Sequence, residues 1–410
     1  MPNCRWKCVF VLGAAFFTFS TFIYGHYYEL DFLFHFGNDL QQRGYQGQVT
    51  DEDVKEGLDS RMLVKPTPAQ RTITHRNFVL QEEEETKTRQ EKEVTCSLRW
   101  SIHQHPKLHN LFNFSVPVLQ WASSFSPSEW QRLQQHLPPY GWKGLPVEVV
   151  NSTLALLGEE ANRDVFPVRP QGGCVRCAVV GNGGILNGSR QGHAIDSHDF
   201  VFRINGAITK GFEEDVGTKT SFYGFTTNTM KNSLIAYRAF GFDKVPQEQD
   251  IQYIFIPSDV RDYVMLSSAI RSLQVPWGHD RGDLPSKYFG SHSLAKDFKM
   301  LHPDFIRYIK DRFLKSRLLK MTYSHLYMPS TGALMLLTAL HSCDQVSAYG
   351  FITENYVDFS DHYFDVVKKP LVFYANHDMQ LEAQVWKLLD SLQVLQLYKR
   401  AAPLPMATAG

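Results

Sequence analysis

CAVVGNGGILNGSRQGHAIDSHDFVFRINGAITKGFEEDVGTKTSFYG, residues 177–224, decides the fold class. It opens on a short apolar run, Ala178-Val179-Val180, the pattern of a buried strand. The run stops at Gly181-Asn182-Gly183-Gly184, where the backbone can turn tightly and a ligand can approach it closely. A second run, Phe200-Val201-Phe202, ends in Arg203-Ile204-Asn205-Gly206, and a third lies at Ser221–Gly224. Strands that each end in glycine and an amide point to the carboxyl edge of an α/β sheet, where nucleotides bind.

Working outward, Ile251–Ile256 reads as a further strand stopped by Pro257, and Val346–Phe351 as one ending in glycine. Ser126-Pro127-Ser128-Glu129 has the form of a capping box, and Trp130, Leu133 and Leu137 continue at helical spacing until Pro138-Pro139. Arg261–Lys320 is mixed and helical, with no binding residue that the sequence singles out. In His325–Gly332 a Pro-Ser-Thr-Gly turn precedes the helix-forming run Ala333–His341, so Ser330 or Thr331 is placed to cap it. A helix amino terminus offers unpaired N–H groups to a phosphate, although an ordinary cap has the same sequence.

The 410 residues leave room for one large domain with appendages. Lys+Arg and Asp+Glu both total 42, so no global charge argues for nucleic acid. Arg5 and Lys7 precede an apolar run from Cys8 to Tyr24, with Glu29 and Asp31 after it. That length is near the lower end of the ~17–25 residues of a membrane helix. The charge asymmetry puts the amino terminus in the cytosol and the rest in a lumen, and no A-x-A-like site marks a cleaved signal peptide. The expected organisation is a cytosolic tail (1–7), a transmembrane signal-anchor (8–25), a largely disordered polar stem (26–95) and a lumenal catalytic domain (96–410). A short span suits a thin early-secretory membrane such as the Golgi. Asn113, Asn151 and Asn187 head N-glycosylation sequons. Cys96, Cys174, Cys177 and Cys343 lie on the lumenal side and allow three pairings.

The quoted stretch resembles the large sialylmotif of the eukaryotic sialyltransferases, glycosyltransferase family 29. Cys177–Asn182, Ile195-Asp196, Arg203–Gly206 and Asp215–Thr220 carry the resemblance, in one order. Pro329–Gly332, Cys343-Asp344 and Tyr349-Gly350 resemble the small sialylmotif, and His362–Asp365 the third motif. His377 with Glu382 resembles the last, His-x-x-x-x-Glu. The resemblance implies one α/β, Rossmann-like (GT-A-like variant) catalytic domain, doubly wound on a mostly parallel sheet. It implies disulfides Cys177–Cys343 and, with it, Cys96–Cys174. It implies CMP-sialic acid (CMP-N-acetylneuraminate) as donor, contacted by Asn182, Asn205, Ser330, Thr331 and Gly332. His362 would donate to the departing phosphate and His377 take the acceptor proton, in a single inverting displacement. The wording Val-Val-Gly-Asn-Gly-Gly and Arg-Ile-Asn-Gly-Ala is similar to the branch that sialylates O-6 of GalNAc on Ser or Thr, and the short stem to its type 2-like members. Partners would then be O-glycosylated glycoproteins and the Golgi membrane.

His377 also carries a local argument. Asn376 can cap a helix through Gln380–Leu389, placing His377 in its first turn, where the dipole keeps the imidazole neutral and basic. On such a helix Glu382 would lie about 140° away, so it reads as structural. No metal is expected, because the only Asp-x-Asp, Asp51-Glu52-Asp53, falls in the stem and Cys174-x-x-Cys177 has no second ligand pair. A dinucleotide oxidoreductase is disfavoured, since Leu186 stands where the third glycine of G-x-G-x-x-G is needed. A sialyltransferase acting on galactose or sialylated O-glycans, and a non-catalytic lumenal glycan-binding pseudoenzyme, are the remaining alternatives.

Overall fold

Arg176–Val180 forms strand β1 near the middle of a seven-stranded sheet, in a computed structural model that describes residues 96–166, 174–291, 293–320, 324–374 and 376–401. The expected tail, anchor and stem lie outside the described residues. Among those residues no helix is long and apolar enough to cross a membrane. The sheet and its helices belong to one compact unit.

The other two runs of the quoted stretch are β2 (Phe200–Ile204) and β3 (Phe222–Phe225). Gln252–Phe255 (β4), Phe298–Met300 (β5), Gln345–Tyr349 (β6) and Gln396–Leu397 (β7) complete the order β5-β4-β3-β2-β1-β6-β7, every pair parallel. Successive residues of β1 face opposite cores. Cys177 and Val179 join one apolar cluster, Ala178 and Val180 the other, as a sheet covered on both faces requires. The chain runs outward from β1 to β5, then crosses back to place β6 on the other side of β1. That reversal makes the β1–β6 boundary a switch point, the place where parallel sheets open a crevice.

The longer helices are α1 (Leu98–Gln104), α2 (Pro127–Leu133), α3 (Val147–Leu154), α4 (Thr227–Ala236), α5 (Val260–Arg271), α6 (Pro303–Arg312), α7 (Thr331–Ser342) and α8 (Met379–Ser391). In α2 the cap is the expected one: Ser126 Oγ accepts from Glu129 N. The helix nevertheless ends at Leu133, well before the prolines, and Leu137 is exposed. The reason is tertiary, because the Leu133 carbonyl is taken by His136 N and Trp142 N from the returning chain.

Helix α7 is buried along its whole length against β1, β2 and β6. Each Leu or Met it buries contributes about 1.5–3 kcal/mol. Its end is tied to the start of β1 by Cys177–Cys343, and the second disulfide is Cys96–Cys174; the Cα–Cα distances are 6.2 and 6.0 Å. Both pairs are those the resemblance implied. Each closes a long loop, 166 and 78 residues apart in sequence, worth about 2–4 kcal/mol.

Candidate active site

Asn182 and Asn205 meet at the carboxyl edge of neighbouring strands. Asn182 Nδ2 donates to the Ile204 carbonyl at 3.3 Å. Asn205, the next residue, has φ +48°, a left-handed conformation that asparagine tolerates better than most side chains. Its carbonyl accepts from Tyr223 OH at 2.6 Å. Its side-chain Oδ1 is buried and has no hydrogen-bond partner among the described residues. A buried acceptor left unmade costs about 1–3 kcal/mol, and of the several such atoms among the described residues this one lies at the carboxyl edge beside Asn182.

The amino terminus of α7 lies over the same spot. A Cβ on Gly332 would stand 3.4 Å from the Phe351 ring and 3.5 Å from Ile204 Cδ1. Ser330 is the N-cap, its Oγ accepting from Ala333 N at 3.0 Å. Among the described residues, the Thr331 and Gly332 N–H groups donate to no protein acceptor. The structure thus brings Asn182, Asn205 and Ser330–Gly332 to one place.

The glycine loop turns tightly because neighbouring backbone packs against it. Gly181 N–H donates to Tyr349 O (2.8 Å), Gly183 N–H to Gly350 O (3.0 Å) and Gly184 N–H to Ser360 O (3.1 Å). A Cβ on Gly181 or Gly183 would stand 2.7 or 2.6 Å from the Gly350 carbonyl oxygen. These glycines admit neighbouring backbone. Arg203, fully buried, likewise serves architecture, donating to Lys219 O and Val216 O at 3.0 and 2.7 Å.

The Ser360 backbone leads to His362, whose main chain bridges Gly183. Asp365 is the hub of this segment: its Oδ2 accepts from His362 N and Ser360 Oγ, both at 2.8 Å. Lys369 Nζ lies 3.0 Å from Asp365 Oδ1. The His362 ring stacks on Phe364, its Nδ1 is 3.3 Å from Asp361 Oδ2, and its Nε2 is 3.2 Å from Tyr237 OH. Tyr237 lies against Gly206, where a Cβ would overlap its ring. That fixes His362 beside the end of β2. Nothing in the sequence marked Tyr237, whereas Asp365 stands three residues beyond His362 in a motif already quoted.

His377 requires a correction. Helix α8 starts at Met379 with Asp378 as its N-cap, Asp378 Oδ1 accepting from Leu381 N, so His377 precedes the helix and Asn376 does not cap it. Its Nδ1 lies 2.8 Å from the Met328 carbonyl. A carbonyl only accepts, so Nδ1 carries the proton and Nε2 is the basic nitrogen. Burial lowers its pKa below the ordinary histidine value, and the Met328 bond partly offsets this. Glu382 has a structural contact, in keeping with the sequence reading. Its two oxygens accept from Ser330 N at 2.8 Å and Ser330 Oγ at 2.6 Å. Because His377 lies off the helix, the rotation argument that separated it from Glu382 does not apply. Both residues dock on Met328–Ser330. By contrast, His341 and His302 are core histidines, each held at about 4 by burial. Among the described residues, no group of three or more His, Cys, Asp or Glu is arranged to hold a metal ion.

Residues 119–394 match the family described as glycosyltransferase family 29 (sialyltransferase). The chain is 62% identical over 307 residues to alpha-N-acetylgalactosaminide alpha-2,6-sialyltransferase 2 of Homo sapiens, covering 74% of this chain and 82% of that protein. Identity to the Mus musculus protein of the same name is 56% over 335 residues, covering 81% and 90%. A mammalian sialyltransferase crystallised with Gal-beta-1-3GalNAc-ortho-nitrophenol superposes with a TM-score of 0.50 at 28% identity, covering 71% of this chain and 93% of that one.

Proposed function

The chain belongs to glycosyltransferase family 29, the sialyltransferases, and on that premise we propose that it transfers sialic acid from CMP-sialic acid to O-6 of GalNAc linked to Ser or Thr. The linkage rests on its relatives of that name. The donor site rests on one observation, the buried and unpartnered Asn205 Oδ1 beneath the open first turn of α7. Asn182 and Asn205 then hold the nucleotide, and the Thr331 and Gly332 N–H groups face its phosphate, while Ser330, its donors taken by Glu382, fixes that turn. His362, oriented by Asp361, Asp365 and Tyr237, gives a proton to the departing phosphate. His377 Nε2 removes the proton of the acceptor hydroxyl, which attacks the face opposite CMP and inverts the anomeric centre. General-base action of this kind is worth about 10²–10⁴ in rate. Fixed N–H groups and a histidine meet the developing charge, so the reading needs no metal.

A Golgi type II arrangement, with anchor 8–25, stem 26–95 and lumenal domain 96–410, completes the reading. In it Asn113 and Asn151, both exposed, carry N-glycans. Asn187 donates from its side chain to Tyr363 O at 2.7 Å.

The test incubates full-length chain with CMP-sialic acid, EDTA and a GalNAc-threonine glycopeptide, beside a galactose-terminated O-glycan. Transfer to GalNAc O-6 that survives EDTA supports the reading. Transfer to the galactose acceptor alone would overturn the linkage and keep the family. Absence of both transfer and CMP release from folded protein would favour a glycan-binding role.

A further inference from the structure

The chain after α5 closes as a hairpin. Val275 N–H donates to Asp283 O at 2.9 Å and Gly282 N–H to Val275 O at 2.8 Å. Its tip, residues 276–279, is exposed, and Trp277 presents 41% of its surface to solvent; Leu273 and Leu284, before and after the hairpin in sequence, are exposed too. The hairpin is nevertheless held from below. The buried Asp280 carboxylate takes Arg261 Nε at 2.8 Å, Arg261 Nη2 at 3.0 Å and Lys231 Nζ at 2.6 Å. Lys231 also reaches Asp283 at 2.6 Å. Burying such a network is costly and yields little net stability. What it supplies is a fixed place for an indole that would be cheaper to bury.

The anchors say where that place is. Arg261 is in the first turn of α5 and Lys231 is on α4, the helices that leave the carboxyl ends of β4 and β3. The anchors of the hairpin therefore sit at the edge of the sheet that carries Asn182 and Asn205. Strands are spaced about 4.8 Å apart, so β3 and β4, two and three strands from β1, lie about 10–15 Å along that edge. An extended polypeptide covers about 3.4 Å per residue, so this is the reach of about three to four residues.

We infer that the Trp277 hairpin is a docking ledge for the polypeptide that carries the acceptor sugar, gripping it about three to four residues from the glycosylated Ser or Thr. The inference rests on the GalNAc-peptide reading. With a single sugar joined directly to the peptide, polypeptide is what lies at that distance. An exposed indole suits proline rings and extended backbone.

The experiment compares two acceptors of the full-length chain: GalNAc-threonine capped at both ends, and the same residue in a proline-containing peptide extending about five residues each way. Trp277→Ala should raise KM for the long glycopeptide about tenfold, the worth of one aromatic contact. KM for the capped acceptor and for CMP-sialic acid should stay put, and Trp277→Phe should keep most of the affinity. Equal effects on both acceptors, or none on either, would overturn the ledge. The native protein gives a second reading that no misfolded variant can obscure: KM should fall as the peptide grows past three residues on one side, and a flat dependence sinks the inference. If the native protein sialylates only galactose acceptors, the GalNAc reading fails and the ledge with it. That outcome is distinct from GalNAc transfer without length dependence.

Discussion

Glu382 receives two hydrogen bonds from one residue, the backbone N–H of Ser330 at 2.8 Å and its hydroxyl at 2.6 Å. Ser330 in turn caps α7 through Ala333 N. The last motif of the sequence is thus bolted to the helix terminus that the small motif supplies. Burial pushes Glu382 up from 4.5 to about 7, partly opposed by the two Ser330 donors. A raised folded-state pKa means stability is fullest below the ordinary glutamate value and is lost as pH rises through about 7. Glu382→Gln cannot ionise and can still bond Ser330 through both side-chain atoms. Its melting temperature should therefore stay level between about pH 5 and 8 while that of the native protein falls. Parallel decline in the two would show that Glu382 is not the titrating group.

Removing the same side chain should reach the donor site. Glu382→Ala leaves the Ser330 N–H and hydroxyl without their acceptor, and loosens the turn that faces the phosphate. We expect KM for CMP-sialic acid to rise about tenfold, the worth of one charge-assisted hydrogen bond, with KM for the acceptor little changed. Steady-state kinetics with each substrate varied in turn would decide it.

Lowering of the His377 pKa by burial has a definite sign for catalysis. A base must be unprotonated, so a lowered pKa extends activity toward acid. The acid limb of kcat/KM should fall below the ordinary histidine value of about 6.5. His377→Ala should cut kcat by about 10²–10⁴ and abolish that limb. A limb that persists in the variant would assign it to another group.

Asn205 offers a clean deletion, because glycine accepts its φ of +48° without strain. Asn205→Gly should weaken CMP-sialic acid binding by about 1–3 kcal/mol if Oδ1 accepts from the nucleotide, with little change in melting temperature. CMP titration by calorimetry measures this directly, and unchanged affinity would take Asn205 out of the donor site.

Gly183→Ala tests the glycine loop. The added Cβ would stand 2.6 Å from the Gly350 carbonyl, and neither partner is a flexible side chain. A loss of about 1–3 kcal/mol in unfolding free energy is expected. A stable variant with weakened donor binding would instead restore these glycines to the ligand.

Much of this molecule was legible in its sequence because the signals are local. Val179 and Val180, Phe200–Phe202 and Phe222-Tyr223 are apolar runs that only a sheet covered on both faces can bury, and Ser330 followed by Ala333–His341 announces a capped helix. Position along the chain also sufficed to order the motifs. What sequence could not supply was anything depending on which distant segments touch. Gly181 and Gly183 read as a ligand loop, since closeness to Gly350 exists only once β1 and β6 lie side by side. The spacing of His377 and Glu382 misleads because the start of α8 is set by Asp378, which accepts from Ser316 and can cap only from outside the helix. Tyr237 and Trp277 carried no signal at all. Their places are fixed by His362 and by the Asp280 network, contacts over 125 and 19–49 residues that only packing creates.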